Sequence, residues 1–273
     1  MRALLKQIMP PFLWGAVRRL TTMPPPVCAT YEEAAWQCRQ SGYEDDALVR
    51  AVVEKNLVFR KKIRDKTVFD LAAMRTLIAL GLSRTSNELK VIDFGGGAGY
   101  HYEMARAALG QSAAIRWNVV ETTAMANAAR SLEEPGLKFF DSIEEAARDL
   151  GAVDLVLASS SLQYCPDPML FLQCLINVGA GHLFITRTPF SESPEDVISV
   201  QRSRLSANGP GPLPAGFTDV EISYPITYLS TAKVEKALSS KYELRFKVEE
   251  ELGAFLAGSR SFNMWGYFSA LRK

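Results

Sequence analysis

An acidic residue followed by alternating glycines is the feature of this sequence that most clearly suggests chemistry. Asp93 ends an apolar run, and Gly95, Gly97 and Gly99 follow it. A strand, a glycine turn and a helix form the cradle that nucleotide cofactors use in doubly wound α/β folds. The dinucleotide pattern G-x-G-x-x-G fails, because Tyr100 stands where its last glycine would be, counted from Gly95. The motif predicts a cofactor loop; a glycine turn that only lets a helix pack close to a sheet is the alternative.

The charge of Asp93 indicates which cofactor this loop would take. A carboxylate against the loop repels a pyrophosphate, but it attracts a ligand that carries an ammonium and a sulfonium. S-adenosylmethionine is such a ligand. We expect Asp93 and the loop 95–99 to face its methionine part, with Asp93 attracting the ammonium directly or through water. The same carboxylate and the missing glycine disfavour a nicotinamide-dependent oxidoreductase.

Polar residues also follow the next three predicted strands, and ligands in open α/β sheets bind at the carboxyl ends of strands. Glu121 can accept hydrogen bonds from the ribose hydroxyls, although acids also favour helix starts. Asp141, with Ser142, can accept from the adenine amino group, although the same segment has the spacing of a capping box. Ser159 and Ser160 would offer backbone carbonyls to the ammonium.

Methyl transfer from a sulfonium is an in-line displacement, so the enzyme mainly has to orient the acceptor. His101 is the candidate base for a hydroxyl acceptor, because it lies just past the loop; a helix-start histidine with a structural hydrogen bond is the alternative. Tyr164 and Arg187 are candidate acceptor contacts, Arg187 through a bidentate grip on a carboxylate or phosphate. Plain packing is the alternative for Tyr164, and an ion pair with Asp154 or another acid is the alternative for Arg187. Further candidates for this region are Tyr102, Gln201 and Tyr224.

Composition narrows the class of protein. A chain of 273 residues that is 48% hydrophobic can bury a sizeable core. The net charge of +1 provides no global field for nucleic acid. The four cysteines have no C-x-x-C spacing and the chain has only two histidines, so no metal site is expected. Scattered thiols suit a reducing cytoplasm.

The chain divides into three predicted parts. Residues 1–30 form a basic amphipathic arm and a Pro-rich linker, too short in apolar length to span a bilayer. Such an arm can lie on an anionic membrane surface, here the inner membrane face through residues 1–22; an arm packed on the domain is the alternative. Residues 31–88 are predicted to form a helical cap. Residues 89–273 form the cofactor-binding domain, with an irregular substrate-side insertion at about 187–229 that holds a short helix at 194–205.

Alternation of strands and helices from Leu89 indicates a parallel sheet. Two late strands, 242–249 and 262–271, are separated only by a loop, which predicts an antiparallel closing pair. Five alternating strands with such a pair form the seven-stranded arrangement of class I methyltransferases. The expected class is therefore α/β, a Rossmann-like, mostly parallel sheet with a helical N-terminal cap.

A basic cluster lies in the predicted cap. A solvated helix face is the ordinary interpretation, and a phosphate-bearing substrate is the alternative. Its members are Lys55, Arg60, Lys61, Lys62, Arg64 and Lys66.

Several segments together resemble a bacterial family assigned as S-adenosylmethionine-dependent methyltransferases and associated with surface-polysaccharide gene sets. The resemblance covers about half of the chain, and its most specific pieces are the Leu-Gln-Tyr and Arg-Thr-Pro-Phe motifs. It implies a class of activity and, through the gene association, a glycan precursor as acceptor. The matching segments are 93–96, 117–121, 160–164, 167–168, 187–190 and 223–225.

The combined expectation is a cytoplasmic enzyme that methylates an oxygen of a small molecule or glycan precursor. A non-catalytic S-adenosylmethionine-binding protein is the alternative, because the sequence identifies no catalytic residue with certainty. The oligomeric state has no signal in the sequence.

The basic arm makes the first testable prediction. Deleting residues 1–22 should release the protein from liposomes that contain anionic lipid, because the arm's cations and apolar residues leave with it. Co-sedimentation measures this, with neutral liposomes as the control. Unchanged co-sedimentation with anionic liposomes would reject membrane attachment through the arm.

Overall fold

A ten-stranded sheet with helices on both faces organises the computed structural model, which describes residues 24–38, 44–63, 71–84, 87–110 and 112–273. The strands, in chain order, are β1 (Val27–Cys28), β2 (Glu88–Phe94), β3 (Ala114–Val120), β4 (Leu137–Phe140), β5 (Leu155–Ser159), β6 (His182–Ser191), β7 (Val197–Arg204), β8 (Glu221–Ser230), β9 (Tyr242–Ala257) and β10 (Arg260–Leu271). The helices are α1 (Tyr31–Gln37), α2 (Asp46–Ile63), α3 (Leu71–Ser83), α4 (Tyr100–Leu109), α5 (Thr123–Ala129), α6 (Ile143–Leu150), α7 (Pro168–Asn177) and α8 (Thr231–Leu238).

Seven of the strands form the predicted core, in the order β4-β3-β2-β5-β6-β10-β9. Strands β2 to β6 pair in parallel, whereas β10 lies antiparallel between β6 and β9. This is the seven-stranded arrangement expected from the sequence, and the α/β class with a mostly parallel sheet is confirmed.

The central strands are buried on both faces, as parallel sheets require. In β2, Val91 and Ile92 have no exposed surface and point to opposite faces of the sheet. One face packs against residues of α2, α4 and α5, and the other against α6, α7 and α8. Local signals set the helix starts, for example Asp167, whose side chain accepts a hydrogen bond from the Leu170 N–H and precedes a proline at the first helical position.

The predicted irregular insertion at 187–229 is wrong, and so is the predicted helix at 194–205. Strand β6 continues to Ser191, and β7 and β8 pair antiparallel along their length. With β1 they form a three-stranded extension, called the annex below, which joins the core where Phe190 of β6 pairs with Leu229 of β8.

Proline and serine in this stretch concealed the strands. Strand β8 alternates apolar and other residues with period two from Ile222 to Tyr228, which is the strand signal, whereas β7 begins with two adjacent apolar residues and ends in a polar run. Pro225 lowers the strand prediction because it cannot donate to a ladder. It is tolerated here because β8 has a neighbouring strand, β7, on only one side at Pro225. On the other side, β6 pairs with β8 only at Leu229 and Ser230, so no described strand needs a donor from Pro225 there.

Helix α2 of the cap lies between the glycine loop and the connection from β7 to β8. A Cβ on Gly97 would lie 3.5 Å from Val52 Cγ1, and a Cβ on Gly209 would lie 3.5 Å from Val52 Cα. The Lys55 ammonium is buried and donates to the backbone carbonyls of Ser206 and Asn208. The cap therefore covers the loop from one side and is fastened to the connection beyond it.

The basic cluster does not form one solvated face. Lys55 is buried, and Arg60 pairs with the buried Glu103, so neither fits the predicted solvated face. Lys61 and Lys62 are exposed as that interpretation requires. Residues 64 and 66 lie outside the described residues.

The predicted membrane-touching arm also lies almost entirely outside the described residues, which begin at 24. In the part of the chain that the structure describes, no helix has the length and apolar character needed to cross a membrane.

Lys55 provides a test of how the cap is held. Replacing Lys55 with Met leaves two buried carbonyls without their donor, so the free energy of unfolding should fall by roughly 1–3 kcal/mol. Urea unfolding measures the change. Lys61→Met, on an exposed position of the same helix, should change it by less than about 0.5 kcal/mol. Equal effects of the two substitutions would contradict the fastening role.

Candidate functional site

The glycine loop after β2 has a backbone that only glycine allows. Gly95, Gly97 and Gly99 have φ angles of 73°, 59° and 88°, in the left-handed region. A Cβ on Gly95 would overlap the Ser161 side chain, and a Cβ on Gly96 would overlap the Asp93 carboxylate. The loop thus rests directly on the end of β2 and against the segment after β5.

Asp93 lies beneath this loop with no exposed surface. Its Oδ2 accepts from the Trp117 indole Nε1 at 3.1 Å and lies 3.0 Å from Nδ1 of His101. Because the carboxylate has no exposed surface, a ligand ammonium can contact it directly only if the surrounding residues rearrange. The charge of Asp93 can still act across Gly96, which separates it from the loop surface only by backbone atoms.

His101 forms a pair with Asp93 in the first turn of α4. An ionised carboxylate only accepts hydrogen bonds, so Nδ1 of His101 carries the hydrogen and Nε2 is left as the proton acceptor. This is the arrangement that orients a histidine base in other enzymes. The structural hydrogen bond that was the alternative is therefore present, and it leaves the chemistry of Nε2 open to a base role.

Glu121 connects the loop to the end of β3. Its Oε1 accepts from the Gly97 N–H at 2.8 Å and its Oε2 accepts from the Thr122 N–H at 3.1 Å. Protein surrounds the carboxyl closely enough that burial raises its pKa, while the two N–H donors oppose that rise. The helix cap of α5 is Thr122 rather than Glu121, because the Thr122 side chain accepts from the Met125 N–H. The capping alternative for Glu121 is therefore wrong.

Asp141 and Ser142 have separate roles after β4. Ser142 is the N-cap of α6 and accepts from the Glu145 N–H at 3.3 Å. Asp141 is exposed and its Oδ2 accepts from the Thr123 hydroxyl at 3.0 Å. Ser142 is therefore the N-cap, one residue later than the predicted capping box places it. The Asp141 carboxylate does not cap the helix and lies exposed at the edge of the sheet.

The segment after β5 holds buried polar atoms that lack partners within the described chain. These atoms are Ser159 Oγ, Ser161 Oγ and Gln163 Oε1. Ser160 between them has a φ of 57°, which a serine rarely adopts. Unpaired buried polar atoms beside a strained residue are typical of a surface shaped for a ligand.

Arg187 lies in β6 at the same edge and also has a left-handed backbone, with φ of 53°. Its side chain is exposed. The alternative of an ion pair with Asp154 does not fit the structure. Asp154 precedes β5 and its carboxylate accepts from the Lys90 N–H at 2.8 Å, whereas Arg187 lies beyond the other end of that strand.

Tyr164, Gln201 and Tyr224 come together where the annex meets the segment after β5. The Tyr164 hydroxyl donates to Gln201 Oε1 at 3.0 Å, and its ring meets the Tyr224 ring edge-on at 5.1 Å. Tyr31 of α1 donates to the Tyr164 carbonyl at 3.1 Å. Tyr102 lies elsewhere: it is fully buried and donates to Glu134, so packing is the correct interpretation for it.

Gln163 and Glu250 are functional candidates that the sequence interpretation did not identify. Gln163 is the middle residue of the Leu-Gln-Tyr motif, and a glutamine inside an apolar turn is itself a signal of a specific hydrogen bond. Glu250 lies on β9, far along the chain, and no local pattern connects it with Arg187.

The second histidine, His182, stacks on Phe268 with ring centroids 5.2 Å apart, and burial lowers the pKa of its imidazole; both observations indicate a structural role. Among the described residues, no group of three or more His, Cys, Asp and Glu side chains is placed to hold a metal ion.

The chain is similar to solved structures of about its own length. One is an S-adenosylmethionine-dependent methyltransferase from Clostridium acetobutylicum ATCC 824, with a TM-score of 0.47, 12% identity and coverage of 81% of this chain and 98% of that one. Another is the [4+2]-cyclase SpnF, with a TM-score of 0.46, 12% identity and coverage of 92% of this chain and 99% of that one. A third is S-adenosylmethionine-bound CalS10, an amino pentose methyltransferase from Micromonospora echinaspora involved in calicheamicin biosynthesis. It has a TM-score of 0.46 and 15% identity, with coverage of 80% of this chain and 97% of that one.

No protein-family model and no curated protein matches the chain. Structural scores as low as these do not determine what the chain binds. Its ligand and reaction have to be argued from its own residues.

The glycine loop can be tested with two glycines of nearly equal φ, Gly95 at 73° and Gly211 at 75°. Gly211→Ala meets open space, so only backbone strain of roughly 1–2 kcal/mol is expected. Gly95→Ala adds the overlap with Ser161 and should lower the free energy of unfolding further. Urea unfolding of both variants measures the difference; equal losses would show that the loop does not rest on Ser161.

Proposed function

We propose that this protein is an S-adenosylmethionine-dependent methyltransferase. The observation that carries the proposal is the bond from the Gly97 N–H to the Glu121 carboxylate. In a dinucleotide site the loop N–H groups face a pyrophosphate. Here a carboxylate accepts from one of them and a second carboxylate, Asp93, lies under the loop. Both charges repel a diphosphate and favour a cationic ligand.

The residues at the sheet edge fit this cofactor. Glu121 and Asp141 supply acceptors for ribose hydroxyls and an adenine amino group at the ends of neighbouring strands. Unpaired buried groups of Ser159 and Ser161, with the carbonyls around Ser160, supply polar partners for the amino-acid end. The residues we propose to hold the cofactor are Asp93, Gly95, Gly97, Gly99, Glu121, Asp141, Ser142, Ser159 and Ser160.

The bound cofactor would supply a methyl group on a positively charged sulfur. The protein's part is to hold an acceptor in line and to remove its proton. His101 is the proposed base, with Asp93 fixing its tautomer so that Nε2 accepts the proton. Orientation can supply roughly 7–11 kcal/mol of the barrier, and the base a further 10²–10⁴ in rate.

The acceptor is proposed to be a small molecule or glycan precursor that is methylated on oxygen, bound at β5, β6 and the annex. Tyr164, Gln201 and Tyr224 place a hydroxyl, an amide and aromatic rings there, a mixture that suits an acceptor rich in hydroxyl groups. The glycan part follows from the sequence resemblance.

Ligand binding tests the cofactor proposal. Isothermal titration should show binding of S-adenosylmethionine and none of NAD. Glu121→Gln should weaken that binding at least tenfold, because a charge-assisted hydrogen bond is worth about 1.5–3 kcal/mol. Glu88→Gln makes the same charge change at the other end of β2 and should leave the affinity within twofold. Binding of NAD but not of S-adenosylmethionine would overturn the proposal.

Turnover tests the base. A screen of sugar nucleotides with radiolabelled methyl donor identifies a usable acceptor, and His101→Ala should then lower kcat by about 10²–10⁴. His182→Phe keeps the stacking on Phe268 and serves as the control. Full turnover of His101→Ala at saturating acceptor would exclude His101 as the base. Binding of the cofactor with no transfer to any acceptor would favour a non-catalytic binding protein.

A further inference from the structure

Two residues other than glycine have positive φ angles in the described chain, Ser160 and Arg187. A left-handed backbone is unfavourable for such residues, so it persists only where the surroundings enforce it. The two residues are neighbours at the carboxyl edge of the sheet, since the Ser160 N–H donates to the carbonyl of Thr186 at 2.9 Å.

Two buried side chains hold the Arg187 backbone from opposite sides. Its N–H donates to Glu250 Oε1 at 3.1 Å, and its carbonyl accepts from Gln163 Nε2 at 3.2 Å. The same Gln163 amide donates to Ser160 Oγ at 3.1 Å. One glutamine therefore connects both strained residues, and a glutamate from β9 completes the hold on Arg187.

Glu250 is itself placed at some energetic cost. Its side chain is 2% exposed, lies 3.0 Å from the Arg75 guanidinium and accepts from the Thr186 hydroxyl. Burying a carboxylate is unfavourable unless it is paired and hydrogen-bonded. The buried Glu250 carboxylate and the fully buried Gln163 amide thus both hold the strained backbone of Arg187, whose side chain remains exposed.

Arg187 lies beside Ser160, a proposed cofactor residue, but the order of the strands separates it from the acids of the site, Asp93, Glu121 and Asp141. Strand β6 is two strands away from β2, roughly 10 Å at the usual spacing, and it lies on the side opposite to β3 and β4. Arg187 is therefore next to the proposed acceptor region and distant from Glu121 and Asp141.

Resting on the proposed function, we propose that Gln163 and Glu250 are positioning residues that hold Arg187 as an oxyanion-binding residue, so that the acceptor carries a phosphate or carboxylate group. A guanidinium offers a planar fork of donors that matches either oxyanion in a bidentate manner. Fixing the backbone of Arg187 limits the directions that fork can take. Neither positioning residue needs to touch the acceptor.

The charge of the ligand is tested first, on the full chain with S-adenosylmethionine present. Isothermal titration with glucose 1-phosphate, glucuronate and glucose separates phosphate, carboxylate and neutral probes. At least one anionic probe should bind tenfold or more tightly than glucose, as expected for a charge-assisted hydrogen bond. Arg187→Gln should remove that difference, whereas Arg245→Gln, an exposed arginine of β9, should preserve it.

Three results would overturn the proposal while leaving the proposed function standing. These are equal binding of all probes, anion binding that Arg187→Gln does not change, and a loss of S-adenosylmethionine affinity in Arg187→Gln as large as the loss for the probe. The last result would place Arg187 on the cofactor's own carboxylate. Failure of the unmodified protein to bind S-adenosylmethionine is a failure of the proposed function instead.

The positioning residues are tested by conservative and non-conservative pairs. Glu250→Gln keeps an oxygen for the Arg187 N–H and should retain the affinity for the anionic probe within threefold. Glu250→Ala and Gln163→Leu should each weaken that affinity tenfold. Neither loss should add to that of Arg187→Gln, because both act through Arg187. Additive losses would contradict this.

Stability provides a second readout that does not depend on the probe. Arg187→Gly accepts the left-handed backbone without strain, so its unfolding midpoint should exceed that of Arg187→Ala. Equal midpoints would show that no strain is held at Arg187, and the positioning argument would fail.

Discussion

Negative charge held directly against a glycine loop is the constraint on which the site depends. Asp93 lies under the loop, tied to His101 and Trp117, and Glu121 takes the Gly97 N–H. Loops of this shape ordinarily present their N–H groups to phosphate. Here Glu121 accepts from one of these N–H groups and Asp93 lies beneath the loop, so the local electrostatics disfavour an anion there.

The proposed cofactor-binding acids and the proposed acceptor contacts lie over different parts of one sheet edge. The acids follow β2, β3 and β4, whereas the strained residues Ser160 and Arg187 lie at β5 and β6, where the annex begins. The cap contributes on the cofactor side, because Val52 lies against Gly97 while Lys55 is fastened beyond it to the connection from β7 to β8. Helix α2 of the cap thus contacts both the glycine loop and the connection between β7 and β8. The cap on the cofactor side and the annex on the acceptor side both lie outside the seven-stranded core.

Sequence patterns were most informative where the signal was local. The closing pair of strands was predicted to begin at 242 and to end at 271, and β9 and β10 have these outer ends, since an apolar strand run is a property of a few neighbouring positions. The annex was missed for a local reason as well. Pro225 and the serines weakened the strand signal, and only the pairing of β8 with β7 on one side shows why a proline is tolerated there.

The sequence by itself determined the α/β class, the order of strands and helices in the core, and the set of polar residues at the strand ends, because burial periodicity and turn chemistry are written in consecutive residues. Only the tertiary structure decided how those residues combine. It paired Asp93 with His101, gave the capping role to Ser142 and Thr122, and brought Glu250 of β9 and Gln163 to the backbone of Arg187. These contacts join segments up to 63 positions apart, and hydrogen bonds across that separation depend on strand register and sheet order, which no local pattern encodes.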